Sequence, residues 1–204
     1  VTSVTYDLES MTITWEEYVP NMGRIQRMNQ NTRSTVTNDF VSYELLQSDN
    51  EDGTYVSVAV ITDQSITSHV LTEYDPTHEN WFKVKVTDFW ELNSTGTGTT
   101  NDIDSPPTQV DISSVTYDLT EMVITWNQSN DNDFVSYELL QSDTSVTVIT
   151  DLTTTSHSIT EYNPMMENWF KVKVTDFWGL NSIGNGMTNE IESTPPIPSV
   201  LYPI

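Results

Sequence analysis

The sequence predicts an all-β chain of two tandem sandwiches. Three observations carry that expectation: long segments occur twice, apolar residues alternate with a period of two, and turn-forming residues interrupt the runs at short intervals. The repeats come first. "SVTYDL" at 3–8 returns at 114–119 and "ITW" at 13–15 returns at 124–126, both at an offset of 111. "DFVSYELLQSD" at 39–49 returns at 133–143, and the offset has fallen to 94. "ENWFKVKVTDFW" at 79–90 returns letter for letter at 167–178, at an offset of 88. The first copy therefore carries 17 extra residues between Trp15 and Asp39 and six more after Asp49. Both additions fall between strand-like runs, where a longer loop costs little closure entropy.

Within each copy the period is that of a strand. Met122, Ile124 and Trp126 share one face of "MVITW". Val135, Tyr137 and Leu139 alternate with Phe134, Ser136, Glu138 and Leu140. Phe170, Val172 and Val174 face one side of the duplicated twelve, with Trp169, Lys171 and Lys173 on the other. Seven such strands per copy suit a sandwich whose two inner faces form the core. The copies are joined by "TNDIDSPPTQ" (100–109), whose paired prolines cannot continue a strand ladder. The expected domains are 1–104, with a long insertion at 16–38, and 105–196. A tail at 197–204 follows, in which "SVLY" (199–202) echoes "SVTY". It reads as the start of a third repeat or as a strand offered to a neighbouring chain; both sandwiches already have seven strands, which favours continuation.

The order Met122-x-Ile124-x-Trp126, then "NDFVSYELL", "TEYNP" and "FKVKVTDFWGLNS", resembles the fibronectin type III domain, in particular its bacterial, extracellular versions. The resemblance implies an Ig-like sandwich, with Trp15 and Trp126 ending the second strand and Tyr43 and Tyr137 in the third. Gly179 fits the turn after the sixth strand, whereas Glu91 stands there in the first copy. Asn80 and Asn168 stand where the family places its corner tyrosine.

Composition bounds the function. Thirty acidic residues against seven basic ones give a net charge of −23, which repels nucleic acid and anionic membranes. No cysteine is present, so disulfides and thiolate zinc sites are excluded, in keeping with a prokaryotic surface protein. No apolar run reaches the roughly 20 residues that span a bilayer. The chain begins with Val1 and shows no leader pattern, so it reads as a processed or excised piece of a longer protein.

No catalytic constellation stands out. His69 and His157 occupy matching strand positions without a nucleophile motif, and His78 is replaced by Met166 in the second copy. An enzyme is not expected. Closely spaced oxygen ligands do recur: Asp102 and Asp104 in the linker, and Asn130, Asp131 and Asp133 in "SNDNDF", suit calcium. The same residues also make good turns. The insertion holds Arg24, Arg27 and Arg33, the only basic cluster, with Met22, Ile25 and Met28 at every third position. It reads either as an interface to a neighbouring repeat or another copy of the chain, or as a loop lying back on its own sandwich. Trp90 and Trp178 have the chemistry to stack on glycans, or to cover a sandwich end. Asn93 and Asn127 match the N-glycosylation acceptor pattern. The sequence thus points to a non-enzymatic repeat of an extracellular or cell-surface stalk, adhesin or fibre that assembles head-to-tail. The alternative is a carbohydrate-binding or accessory module of a larger secreted protein.

Overall fold

A computed structural model describes residues 1–20, 23, 25, 26 and 38–193, and the chain divides into two units, Val1–Asp104 and Ser105–Ile204. Unit 1 contains β1 (Ser3–Tyr6), β2 (Met11–Thr14), β3 (Phe40–Ser48), β4 (Val56–Ile61), β5 (Ser68–Leu71), β6 (Trp81–Asp88), β7 (Asn93–Thr95) and β8 (Thr99–Thr100). Unit 2 contains β9 (Ile112–Tyr117), β10 (Met122–Trp126), β11 (Phe134–Gln141), β12 (Thr144–Ile149), β13 (Ser156–Ile159), β14 (Trp169–Asp176), β15 (Asn181–Ile183) and β16 (Met187–Thr188). Each unit is a sandwich of two antiparallel sheets. In unit 1 the sheets run β1-β2-β5 and β4-β3-β6-β7, with β8 also on β6; in unit 2 they run β9-β10-β13 and β12-β11-β14-β15, with β16 also on β14. This is the Ig-like, fibronectin type III-like arrangement.

The final strand of each unit is broken in two, giving eight segments where seven are expected. Glycines stand at the break in both units, Gly96 and Gly98 in the first and Gly184 and Gly186 in the second. In unit 2 a Cβ on Gly184 would stand 1.8 Å from the Val110 carbonyl oxygen, so only glycine lets that backbone approach. In unit 1 a Cβ on Gly96 would meet nothing closer than the Val84 carbonyl at 3.7 Å.

The cores follow the predicted period. Met11, Ile13 and Trp15, Tyr43 and Leu45, and Phe82 and Val84 are buried in unit 1; Met122, Ile124 and Trp126, Tyr137 and Leu139, and Phe170, Val172 and Val174 are buried in unit 2. The Trp and Tyr rings pack edge to face at centroid distances of 5.7 Å for Trp15–Tyr43 and 5.8 Å for Trp126–Tyr137. One expectation fails. Val135 is exposed, and Phe134 packs on the core with its ring 4.5 Å from that of Tyr137. The β11–β14 register slips between Phe134 and Ser136, and a bulge there reverses the side-chain alternation upstream of Ser136. The same bulge between Phe40 and Ser42 exposes Val41.

The corner before the sixth strand is built by asparagines. Asn80 donates through Nδ2 to the carbonyls of Asp75 (2.8 Å) and His78 (3.0 Å), and its backbone N–H reaches Asn101 Oδ1 at 2.8 Å. Asn168 and Asn189 repeat the arrangement, with Nδ2 to Asn163 and Met166 carbonyls and the backbone N–H to Asn189 Oδ1 at 2.9 Å. All four side chains are buried and hydrogen-bonded, as buried amides must be.

Candidate cation and assembly sites

The loop after the second strand carries the clearest functional chemistry, and its geometry starts from a tyrosine. Tyr43 Oη accepts the N–H of Tyr18 at 2.7 Å and donates to the Gln64 carbonyl at 3.2 Å. Tyr137 Oη accepts the N–H of Ser129 at 2.7 Å and donates to the Leu152 carbonyl at 3.1 Å. Burial pushes both phenols above their ordinary value, so they stay protonated donors. These matching bonds make Tyr18 and Ser129 equivalent. Their side chains then diverge. Tyr18 Oη donates to Asp39 Oδ1 at 3.0 Å, whereas Ser129 Oγ accepts the N–H of Asp131 at 3.2 Å.

Asp133, the counterpart of Asp39, therefore lacks the phenol. Its Oδ2 is covered and accepts no hydrogen bond, and one of its carboxylate oxygens lies within 4.8 Å of one from Asp176. Asp176 sits at the end of β14, where its Oδ1 accepts the Leu180 N–H at 2.8 Å and closes the following turn. Two carboxylates so close, in a buried or half-buried setting, can hold a hard cation. Asp176 was not among the expected ligands. Its signal in the sequence was the repetition of "TDFW", which packing also explains.

Of the expected calcium ligands, Asp131 and Asp133 are half-buried in the β10–β11 loop and Asn130 is exposed there. In unit 1, Asp102 is exposed, while Asp104 accepts Tyr6 Oη at 3.4 Å and donates its N–H to the Pro76 carbonyl at 2.9 Å. Met22, Arg24, Arg27, Met28 and Arg33 lie outside the described residues; Ile25 is buried. Asn93 begins β7 and Asn127 follows β10, and both are exposed. Trp90 and Trp178 are half-buried, each nearly perpendicular to its neighbouring phenylalanine ring at centroid distances of 5.8 and 5.0 Å, and Phe89 and Phe177 are the more exposed partners. No helix among the described residues is long and apolar enough to cross a membrane.

No family model matches the chain, and no curated protein matches it. Among solved structures it is similar to the central fibronectin-III array of RIM-binding protein, at 14% identity and a TM-score of 0.33, over 97% of this chain and 71% of that one. It is also similar to the chicken CNTN1 FN1-FN3 domains, at 14% identity and a TM-score of 0.36, over 93% of this chain and 64% of that one. The Clostridium thermocellum CbhA fibronectin(III)-like modules match at 9% identity and a TM-score of 0.37, over 80% of this chain and 87% of theirs. The likeness is one of fold.

Proposed function

We propose that the chain is a non-enzymatic structural repeat segment of a bacterial-type extracellular or cell-surface stalk, adhesin or fibre, assembling head-to-tail. One observation supports this most: the duplicated residues serve folding. Phe82 and Val84 fill the core, Asn80 makes the corner, Asp88 Oδ1 closes a turn through the N–H groups of Trp90 and Leu92, and Lys85 pairs with Glu44 across the strands. Unit 2 carries the counterparts: Phe170 and Val172 in the core, Asn168 at the corner, Asp176 Oδ1 on the Leu180 N–H, and Lys173 paired with Glu138. A chain that duplicates framework residues is acting as a building block. Electron microscopy of the protein isolated from its source tests this. Ordered fibres with a repeat of one or two units are expected; separate short rods would refute assembly.

The pairing of Asp133 with Asp176 supports a calcium ion in unit 2, with Asn130 and Asp131 as further ligands from the same loop. Calcium should raise the melting temperature of unit 2, a chelator should reverse the gain, and Asp133→Asn should abolish it. An unchanged melting curve in calcium would remove this reading.

A further inference from the structure

One end of unit 2 is unexpectedly apolar. The turn at 118–121 and the loop at 160–168 are tied by the Tyr162 hydroxyl, which donates to the Asp118 carbonyl. The segment at 189–193 joins them, because the Glu192 N–H reaches the Pro164 carbonyl at 2.8 Å and Tyr117 Oη reaches Glu192 Oε2 at 3.2 Å. These three segments expose Leu119 (102%), Met165 (69%), Met166 (61%) and Ile191 (52%). The fold does not require the methionines. Thr77 and His78 occupy the same positions in unit 1, on the same turn: the Thr77 N–H bonds Asp75 Oδ1 at 2.9 Å as the Met165 N–H bonds Asn163 Oδ1 at 3.0 Å. Apolar side chains placed in water where polar ones fold equally well mark a contact surface.

The rim identifies the occupant. Glu161, Glu190 and Glu192 are exposed on these segments, which contain no Lys or Arg. A partner must therefore bring positive charge with apolar side chains. Elsewhere in the sequence the lysines are engaged: Lys85 with Glu44, Lys173 with Glu138, Lys171 with Asp143 at 3.1 Å, and Lys83 over the Tyr55 ring at 4.0 Å. The other three basic residues, Arg24, Arg27 and Arg33, all lie in the 16–38 insertion together with Met22 and Met28.

We propose that this end of unit 2, around Leu119, Met165, Met166 and Ile191, receives the 16–38 insertion of a second copy of the chain. The inference rests on the head-to-tail reading and names the surface that would serve it. Such an interface is heterologous, so it leaves one free end of each kind and propagates. Flexible methionines fit the insertion, and opposite charges set the direction.

Sedimentation velocity on the whole chain tests it with two variants. Met165→Thr with Met166→His imports the residues unit 1 already uses, and Arg24→Glu, Arg27→Glu and Arg33→Glu reverse the charge of the insertion. Wild type should associate with rising concentration, and each variant alone should associate at least tenfold more weakly. Mixing the two should give 1:1 dimers that grow no further, because each supplies the surface the other lacks. If the methionine variant associates like wild type, this inference falls while head-to-tail assembly stands on another surface. If wild type stays monomeric at every concentration, both fall. If it associates only after residues 194–204 are removed, the chain's own tail covers this end, and the inference falls.

Discussion

The two units place an aspartate at the same point of the same fold and surround it differently. In unit 1 Asp39 is buried and takes the hydroxyl of Tyr18; in unit 2 Asp133 is half-buried, faces Asp176 and has only Ser129 where the tyrosine would stand. A duplicated frame thus carries two solutions for one buried charge. A built-in phenol binds one oxygen of the first, Asp39 Oδ1, and the second has a neighbouring carboxylate in its place; the Oδ2 atoms of Asp39 and Asp133 are both covered and accept no hydrogen bond. The comparison teaches that identity of the frame, down to twelve consecutive residues, does not fix the chemistry at its loops.

The largest expected difference between the units comes from their final strands. Gly184→Ala drives a Cβ into the Val110 carbonyl and should cost unit 2 about 3 kcal/mol. Gly96→Ala, whose Cβ would meet the Val84 carbonyl only at an ordinary contact distance of 3.7 Å, should change unit 1 by less than about 0.5 kcal/mol. Calorimetry that resolves two transitions would check both, and equal losses would break the comparison.

Next comes the phenol. Tyr18→Phe removes the donor from Asp39 and should destabilise unit 1 by about 1–3 kcal/mol, leaving unit 2 unchanged in hydrogen exchange. The reciprocal Ser129→Tyr brings a phenol toward Asp133 and should shrink the response of unit 2 to calcium. An undiminished response would separate the cation from this aspartate.

A smaller effect sits at the turn after the sixth strand. Glu91 holds φ at 61° where Gly179 holds 84°. Left-handed backbone disfavours side chains, so Glu91→Gly should stabilise unit 1 by about 0.5–1 kcal/mol, and Gly179→Ala should cost unit 2 about 1 kcal/mol. Thermal melting of the two variants should move in opposite directions.

The smallest is shared. Hydrogen bonding to Lys85, and then to Ser57, holds Glu44 below its ordinary value of 4.5; Lys173 and then Ser145 do the same for Glu138. Folded carboxyls with lowered pKa stabilise fully above that ordinary value, and the contribution is lost as pH falls through the depressed folded value. The pairs are partly exposed, so each is worth under about 1 kcal/mol. Acid titration of stability should weaken both units below pH 4.5, and Glu44→Gln should reduce the acid sensitivity of unit 1 alone, the lowered Asp7, Asp63 and Asp75 supplying what remains.

Much of this frame is legible in the sequence. The repeats marked two sandwiches, and the alternation in "MVITW" named Met122, Ile124 and Trp126 as core. Alternation misled at Val135, because a bulge leaves no trace in a hydrophobic pattern. The corner asparagines were visible as letters, but their partners Asn101 and Asn189 lie 21 residues downstream, and only the fold brings them together. The candidate site was read in part. Asp133 was singled out for its crowded loop, whereas Asp176 was hidden inside a segment whose packing role accounted for it. The contrast between Tyr18 and Ser129 could not be read, because it required knowing that both N–H groups face the same hydroxyl.

The duplicated twelve has a consequence for how the chain reaches its native state. β3 pairs with β6 through Tyr43–Val86 and Leu45–Val84, and β11 pairs with β14 through Tyr137–Val174 and Leu139–Val172. A crossed pairing of β3 with β14 would place the same side chains opposite one another, so local contacts barely discriminate against it. Connectivity discriminates instead: the crossed loop is roughly three times longer, which costs only about 1 kcal/mol of closure entropy. Strand exchange between neighbours is therefore a kinetic hazard of this chain when it refolds from denaturant. Synthesis from the ribosome avoids it, because β6 emerges and claims β3 before β14 exists.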